Sequence, residues 1–329
     1  MRSVACIIII FFLSSGLQAQ VTSLVTVEEL REDVQVLASD SLKGRKNYTR
    51  YNLQAAEYIA ASFRKDSLLF MEGEDGYIIP FNPHGKLKNQ WKDEQGHYNP
   101  ARVLYNVIAR IEGRSKPEEV VIFSAHFDHI GDDGSEEDPV FNGANDNASG
   151  TAAVMALARY FAKTGGNERT ILFCAFGGEE LGLLGSNWLS PAFRPESIKA
   201  LVNIEMIGSA NAAGPGHFFV TGASYSNLDE IIQKNLEGSD VTMVADPTPG
   251  QYLFTRSDNL PFAERGVPAH TIMSSNDNDD CYHAVCDEWE RLDYEHMKKI
   301  VEAIIKGTRT IIDGSDTPSR IRQRINYPY

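Results

Sequence analysis

Continuous apolar runs alternate with helix-periodic segments through most of this chain, and that alternation limits the folds open to it. Residues 119–125 form a nearly unbroken apolar run, and residues 170–176, 201–206, 218–221 and 269–273 form others. Residues 102–111 predict a further strand. Between the runs, residues 149–163 carry Ala152, Ala153, Met155, Ala156, Ala158 and Phe161 as the apolar body of a helix. Residues 226–235 and 294–312 predict two more helices. Residues 27–40 and 51–65 predict two earlier ones, the second with Leu53, Ala56, Ile59, Ala60 and Phe63 at helical spacing. Strands that are apolar on both faces need cover on both faces, so the class is α/β with a mainly parallel sheet. Ligands then belong at the carboxyl ends of the strands. Residues 72–99 are polar and Gly-rich and predict loops and a short hairpin, too short for a separate domain.

The first residues read MRSVACIIIIFFLSSGLQAQ. Arg2 precedes a short apolar stretch, and Leu17-Gln18-Ala19 resembles a small-residue cleavage site. Residues 1–19 are therefore expected to be a signal peptide, and residues 20–329 a single domain, exported to the periplasm or beyond the cell. The apolar stretch is too short to span a bilayer comfortably, so no stable membrane anchor is expected. The formal net charge of −14 argues against nucleic acid or an anionic membrane as partner. Cys174 sits in an apolar run and is expected in the core. Cys281 and Cys286, five apart in a polar loop of an exported chain, make a disulfide plausible; zinc-thiolate binding is the weaker use.

Chemistry-bearing residues fall where the strands end. SAHFDHIG places His126 and Asp128 after the run VVIF, with Asp128 able to accept the second ring N–H of His126 and orient it. His129 is set aside as non-ligating. In NGANDNASG, Asp146 is either a helix N-cap or a carboxylate approached from both sides, able to bridge two ions about 3.5–4 Å apart. Glu179 and Glu180 follow a buried run and two glycines. Adjacent acids there repel, and separate roles resolve the conflict: one holds metal, the other moves a proton. Glu205 lies inside the run ALVNIEM and needs a partner. His283 lies between the two loop cysteines. Imidazoles and carboxylates are the ligands of hydrolytic zinc sites.

In order and spacing, these five motifs resemble the co-catalytic di-zinc aminopeptidases, metallopeptidases whose relatives include secreted bacterial leucine aminopeptidases, glutamate carboxypeptidase and the glutaminyl cyclases. The resemblance covers about residues 100–310. It implies a three-layer α/β/α sandwich around a mixed, mostly parallel sheet of the zinc-exopeptidase type. It implies two Zn2+ ions, with Mn2+ or Co2+ as substitutes: one on His126 and Glu205, the other on Glu180 and His283, with Asp146 bridging. Glu179 matches the general base, Asp128 the acid that orients a ligand His, and Asp146–Asn147 a bond that is often cis. Two positions depart from the pattern. Glu205 is often Asp, and Ser257-Asp258-Asn259 often reads Ser-Asp-His. Cys281-Tyr282-His283 with Cys286 resembles a disulfide-bearing variant of some secreted members.

The activity implied is hydrolysis of amino-terminal peptide bonds in substrates with a free N-terminus. Glutaminyl cyclisation on a single zinc is the alternative within the fold, and a non-catalytic ectodomain the alternative outside enzymology. Gln251 to Arg256 and Phe262 are candidates for the wall of the substrate side-chain pocket.

Overall fold

The structure is a computed structural model and describes residues 24–327, apart from residue 133 and residues 135–138. The expected signal peptide lies outside the described residues. Among the described residues the α-helices are α1 (Val27–Leu37), α2 (Arg50–Lys65), α3 (Gly150–Thr164), α4 (Leu184–Leu189), α5 (Leu228–Asn235), α6 (Leu260–Ala263) and α7 (Tyr294–Ile312). The strands are β1 (Leu69–Phe70), β2 (Ile78–Phe81), β3 (Leu104–Ile111), β4 (Lys116–His126), β5 (Gly131–Asp132), β6 (Val140–Phe141), β7 (Arg169–Phe176), β8 (Ile198–Glu205), β9 (His217–Val220), β10 (Thr242–Val244) and β11 (Ala269–Met273). Each expected strand and helix has its counterpart within a few residues.

Among the described residues, nine strands form one mixed sheet in the order β1-β3-β7-β4-β8-β11-β9-β10, with β2 also on β3. The centre, β7-β4-β8-β11, is parallel throughout. β3 and β9 run antiparallel to it on either side. Three short strands at the edges of the sheet, β1, β2 and β10, are not predicted as strands by the sequence pattern. In β2 the Pro80 inside an apolar run confines it to an edge, where it pairs antiparallel with β3. β10 has only three residues, too few to show a period.

The central strands are apolar on both faces, and alternate side chains enter different cores. In β7, Ile171, Phe173 and Ala175 join one cluster, while Leu172, Cys174 and Phe176 join the other. The first cluster packs under α1, α2, α3, α5 and α7. The second is covered by α4, α6 and the C-terminal residues Ile321 and Ile325. This gives the three layers. Thr26, Thr49 and Asp293 cap α1, α2 and α7 by accepting backbone N–H groups. Among the described residues, no helix is long and apolar enough to cross a membrane.

One buried cation ties the loops at the carboxyl end of this sheet together. Arg45 is fully buried. Its guanidinium donates to four backbone carbonyls: Phe127 (2.6 Å), Leu37 (2.7 Å), Asn142 (2.6 Å) and Gly143 (2.9 Å). Those carbonyls belong to the end of α1, the exit of β4 and the loop that precedes α3. Burial lowers its pKa to about 10, against the pull of Asp146, Asp128, Asp287 and Glu180. The preceding residue must be glycine. Gly44 has φ +57°, and a Cβ there would lie 2.3 Å from the Phe141 carbonyl oxygen.

Arg45→Met should therefore lower the unfolding free energy by roughly 3–5 kcal/mol, because it strands buried acceptors. Urea denaturation measures this. Arg45→Lys should recover only part of the loss, since an ammonium lacks the planar fork. A loss under about 1 kcal/mol for the Met variant would mean that water satisfies those carbonyls instead.

Candidate metal centre

β7, β4, β8 and β11 all end on the same side of the sheet, and the chemistry-bearing residues cluster there. His126 is the last residue of β4 and Glu205 the last of β8. Glu179 and Glu180 follow β7 after two glycines, and His283 comes from the loop after β11. Asp146 sits in an irregular helical turn before α3, and its peptide bond to Asn147 is cis.

Asp146 stands between two groups of donors. Its Oδ1 lies 3.2 Å from Nε2 of His126, and its Oδ2 lies 3.1 Å from Nε2 of His283. His283 Nε2 is also 3.2 Å from Oε1 of Glu180. His126, Asp146 and Glu205 form one set whose donor atoms all lie within 4.8 Å of one another. Asp146, Glu180 and His283 belong to a second such set, which also includes His129. The motif reading left His129 out. The structure places its Nδ1 2.9 Å from Glu180 Oε1 and 3.7 Å from Asp146 Oδ2.

The chemistry of these sets fits divalent cations. Nε2 of His126, both ring nitrogens of His129 and Oε1 of Glu180 are buried without an aligned hydrogen-bond partner among the described residues. Unpaired buried polar atoms are costly, and cations held by the two sets would remove that cost for His126 Nε2, His129 Nδ1 and Glu180 Oε1. Imidazoles with carboxylates are the donor types that zinc takes.

The surroundings fix these side chains in place. His126 Nδ1 donates to the backbone carbonyl of Asp128 (3.2 Å), which leaves Nε2 with its lone pair towards Asp146. The Asp128 carboxylate is 3.9 Å from that ring nitrogen, so the ring N–H expected to meet the carboxylate meets the carbonyl instead. The carboxylate accepts the backbone N–H groups of Glu179 and Glu180 (3.2 Å each) and the amide of Asn47 (2.6 Å). The Asp128 carboxylate thus positions the acidic pair, while its backbone carbonyl orients the His126 ring.

Asp287 accepts the backbone N–H groups of Asn145 (2.9 Å) and Asp146 (3.0 Å), and holds the Asp146 turn from outside. The Asn147 side chain donates to the Ile204 carbonyl and accepts from the backbone N–H of Gly150 and Met206. Ser257 donates a short hydrogen bond to Glu205. Asn259 is buried and donates to the Phe254 carbonyl, away from the cleft. Cys281 and Cys286 are disulfide-bonded across His283, and the Tyr282 ring stacks on its imidazole at 4.0 Å.

The two adjacent acids sit in different electrostatic environments. Burial pushes Glu179 well above the usual carboxylate range; His126 opposes this, and Glu205, Asp258 and Glu180 add to it. Burial and Asp146 also push Glu180 up, but the imidazoles of His129 and His283 outweigh them and hold it low. Burial raises Glu205 to about 7 against the pull of His126. Burial disfavours protonated His283, but Asp146 and Glu180 lift its pKa to about 10.

The cleft over the centre is lined by Asp146, Glu179, Glu180, Glu205, Asp277 and His283, with Leu253, Arg256, Met273 and Tyr282 completing it. Of the wall candidates, Leu253 and Arg256 line this cleft, while Tyr252, Leu253, Phe254 and Thr255 line a neighbouring cavity. Phe262 does not reach either one. It is fully buried in the core cluster beneath the sheet, 6.4 Å from the Phe176 ring. Its helix α6 turns it inward, a direction its residue type alone does not reveal.

This architecture has known counterparts. The chain is 28% identical over 221 residues to a protein of Leptosphaeria maculans described as a probable zinc metalloprotease, covering 56% of this chain and 49% of that one. It spans about half or less of the length of the curated relatives matched first. The LapA aminopeptidase of Legionella pneumophila superposes with a TM-score of 0.67 at 20% identity, over 88% of this chain and 72% of that chain. The glutaminyl cyclase of Porphyromonas gingivalis superposes with a TM-score of 0.63 at 16% identity, over 90% and 100%. At these identities the likeness to both structures is one of fold. The pattern of peptidase family M28 matches residues 106–308, a span that holds every residue of both donor sets, and the chain belongs to that family.

Proposed function

We propose that this protein is a zinc aminopeptidase that removes residues from the free N-terminus of peptides. The observation that carries the reading is the placement of Asp146 between two donor sets, with Glu179 beside them on the cleft. His126, Asp146 and Glu205 would hold one ion, and Asp146, Glu180 and His283 the other. Bound ions supply Lewis acidity, which polarises the scissile carbonyl and lowers the pKa of a water towards neutrality.

The remaining work falls to the chain's own groups. Glu179 accepts the proton of the attacking water and passes it to the leaving amine, so it acts as base and then as acid. Its burial makes it a stronger base than an exposed carboxylate, as this exchange requires. Asp128 holds the backbone of Glu179 and Glu180, and so sets the distance between base and ligand. The acidic lining of the cleft complements the positive amine of a peptide's free end. Leu253, shared between the cleft and the neighbouring cavity, is where the substrate side chain would turn away from the metals. Export across a membrane suits the Cys281–Cys286 disulfide, which persists in oxidising compartments.

Two experiments test this reading. Glu179→Gln should keep its zinc, measured by elemental analysis, and lose roughly 10²–10⁴-fold in kcat on aminoacyl-anilides. Unchanged turnover would remove Glu179 from the mechanism. Peptides with a free N-terminus should be cleaved, acetylated versions of the same peptides spared, and a chelator should abolish cleavage. Release of pyroglutamate from N-terminal glutaminyl peptides without hydrolysis would instead identify a cyclase.

A further inference from the structure

His129 belongs to one of the donor sets, yet neither the motifs nor the proposed mechanism uses it. Its side chain is fully buried, and neither ring nitrogen has an aligned hydrogen-bond partner among the described residues. Nδ1 is 2.9 Å from Glu180 Oε1, yet no hydrogen bond between them is aligned, and Oε1 is itself without an aligned partner among those residues. The ring is fenced into this position. Its backbone pairs with Lys46, next to the buried Arg45, and Gly143 presses against the ring so closely that a Cβ there would lie 2.5 Å from it. A residue held this firmly, with its polar atoms unpaired, is arranged for a partner other than the protein.

We propose that His129 is a direct ligand of the ion held by Asp146, Glu180 and His283. The proposal rests on the reading of these clusters as metal sites. A tetrahedral ion with bonds of about 2.0–2.1 Å places its ligand atoms about 3.3 Å apart. His129 Nδ1 lies 2.9 Å from Glu180 Oε1 and 3.7 Å from Asp146 Oδ2, and His283 Nε2 lies 3.2 Å and 3.1 Å from the same two oxygens. All four donors meet the mutual distance such a set requires. A simple ion pair between protonated His129 and Glu180 accounts for one of these distances, but not for the misaligned bond or for the approach to Asp146.

The two halves of the centre then differ in kind. The half with His129 has four protein donors, two imidazoles and two carboxylates, which is the closed set of a structural ion. The half with His126, Asp146 and Glu205 has three, which is the open set of a catalytic ion. The closed half fills first and retains its ion. The open half exchanges readily and is the one left to meet water and substrate.

The test uses the full chain stripped by chelator and reloaded with Zn2+ alone. Stepwise competition against a chromogenic chelator should resolve one tight and one weaker site. X-ray absorption at one equivalent should count two imidazoles around the zinc. His129→Gln, with folding checked by circular dichroism, should weaken the tight step at least roughly 100-fold, beyond the roughly 10–100-fold expected for a group outside the ligand shell. It should leave the weaker step in place. One imidazole at one equivalent, or an unchanged tight step in the variant, overturns the proposal even if both sites bind zinc and peptides are cleaved. Absence of any zinc binding by the wild-type chain overturns it together with the metal reading.

Discussion

Asp277 at the cleft is paired with Arg256, but four other carboxylates, Asp146, Glu179, Glu180 and Glu205, share that cleft at the end of the sheet, and their mutual repulsion is the constraint the surrounding structure answers. Burial alone pushes each of them towards neutrality. The protein opposes this with three imidazoles at contact distance and one guanidinium beneath. That guanidinium spends its donors on carbonyls, not on the acids. Arg45 therefore supplies positive potential to the centre without occupying a ligand oxygen. The carboxylate oxygens that face the clusters stay available to a cation, which is what a peptidase centre of this kind needs.

The scaffold makes that convergence possible through register. β7, β4 and β8 lie side by side and parallel, with Ser124 opposite both Cys174 and Asn203. Their ends bring His126, the Glu179–Glu180 turn and Glu205 into one plane without any long loop. The Asp146 turn has no strand to fix it and depends on side chains. Asp287 binds its N–H groups, Asn147 ties it to the exit of β8, and Arg45 holds the carbonyls just before it. The closing loop is fixed differently, by one disulfide whose two cysteines flank His283. Each candidate donor is thus held by a local device of the protein itself.

Much of this was legible because strand periodicity ends where chemistry begins. His126, Glu179, Glu180 and Glu205 announce themselves as polar residues at the limits of apolar runs, and Asp146 as an acid among small residues. Arg45 gives no such signal. Its partners are backbone carbonyls, three of them 82 to 98 residues away in sequence, and carbonyls carry no residue identity. Asp287 stands one residue past the second loop cysteine, where an exposed acid would look the same. His129 was set aside as surplus to the motif, but the chain turns after β4 and brings its ring back towards Asp146. Asp128 was read as the partner of a ring N–H; the same turn offers the ring a carbonyl and frees the carboxylate for Glu179 and Glu180.

The adjacent acids show how one backbone turn yields two chemistries. Glu179 and Glu180 are neighbours with the same side chain, and both backbone N–H groups are bound by the same carboxylate. What separates them is the company of each side chain. Glu180 faces His129 and His283, which stabilise its charge. Glu179 faces Glu205 and Asp258, with His126 as its main counterweight, and so holds a proton more readily. When two like groups are pushed apart in this way, the depressed one suits a fixed anionic role and the raised one suits proton transfer. Exchanging the two roles would require moving imidazoles from one side of the cleft to the other. The proposed division of labour between ligand and base therefore rests on the positions of His129 and His283 as much as on the glutamates themselves.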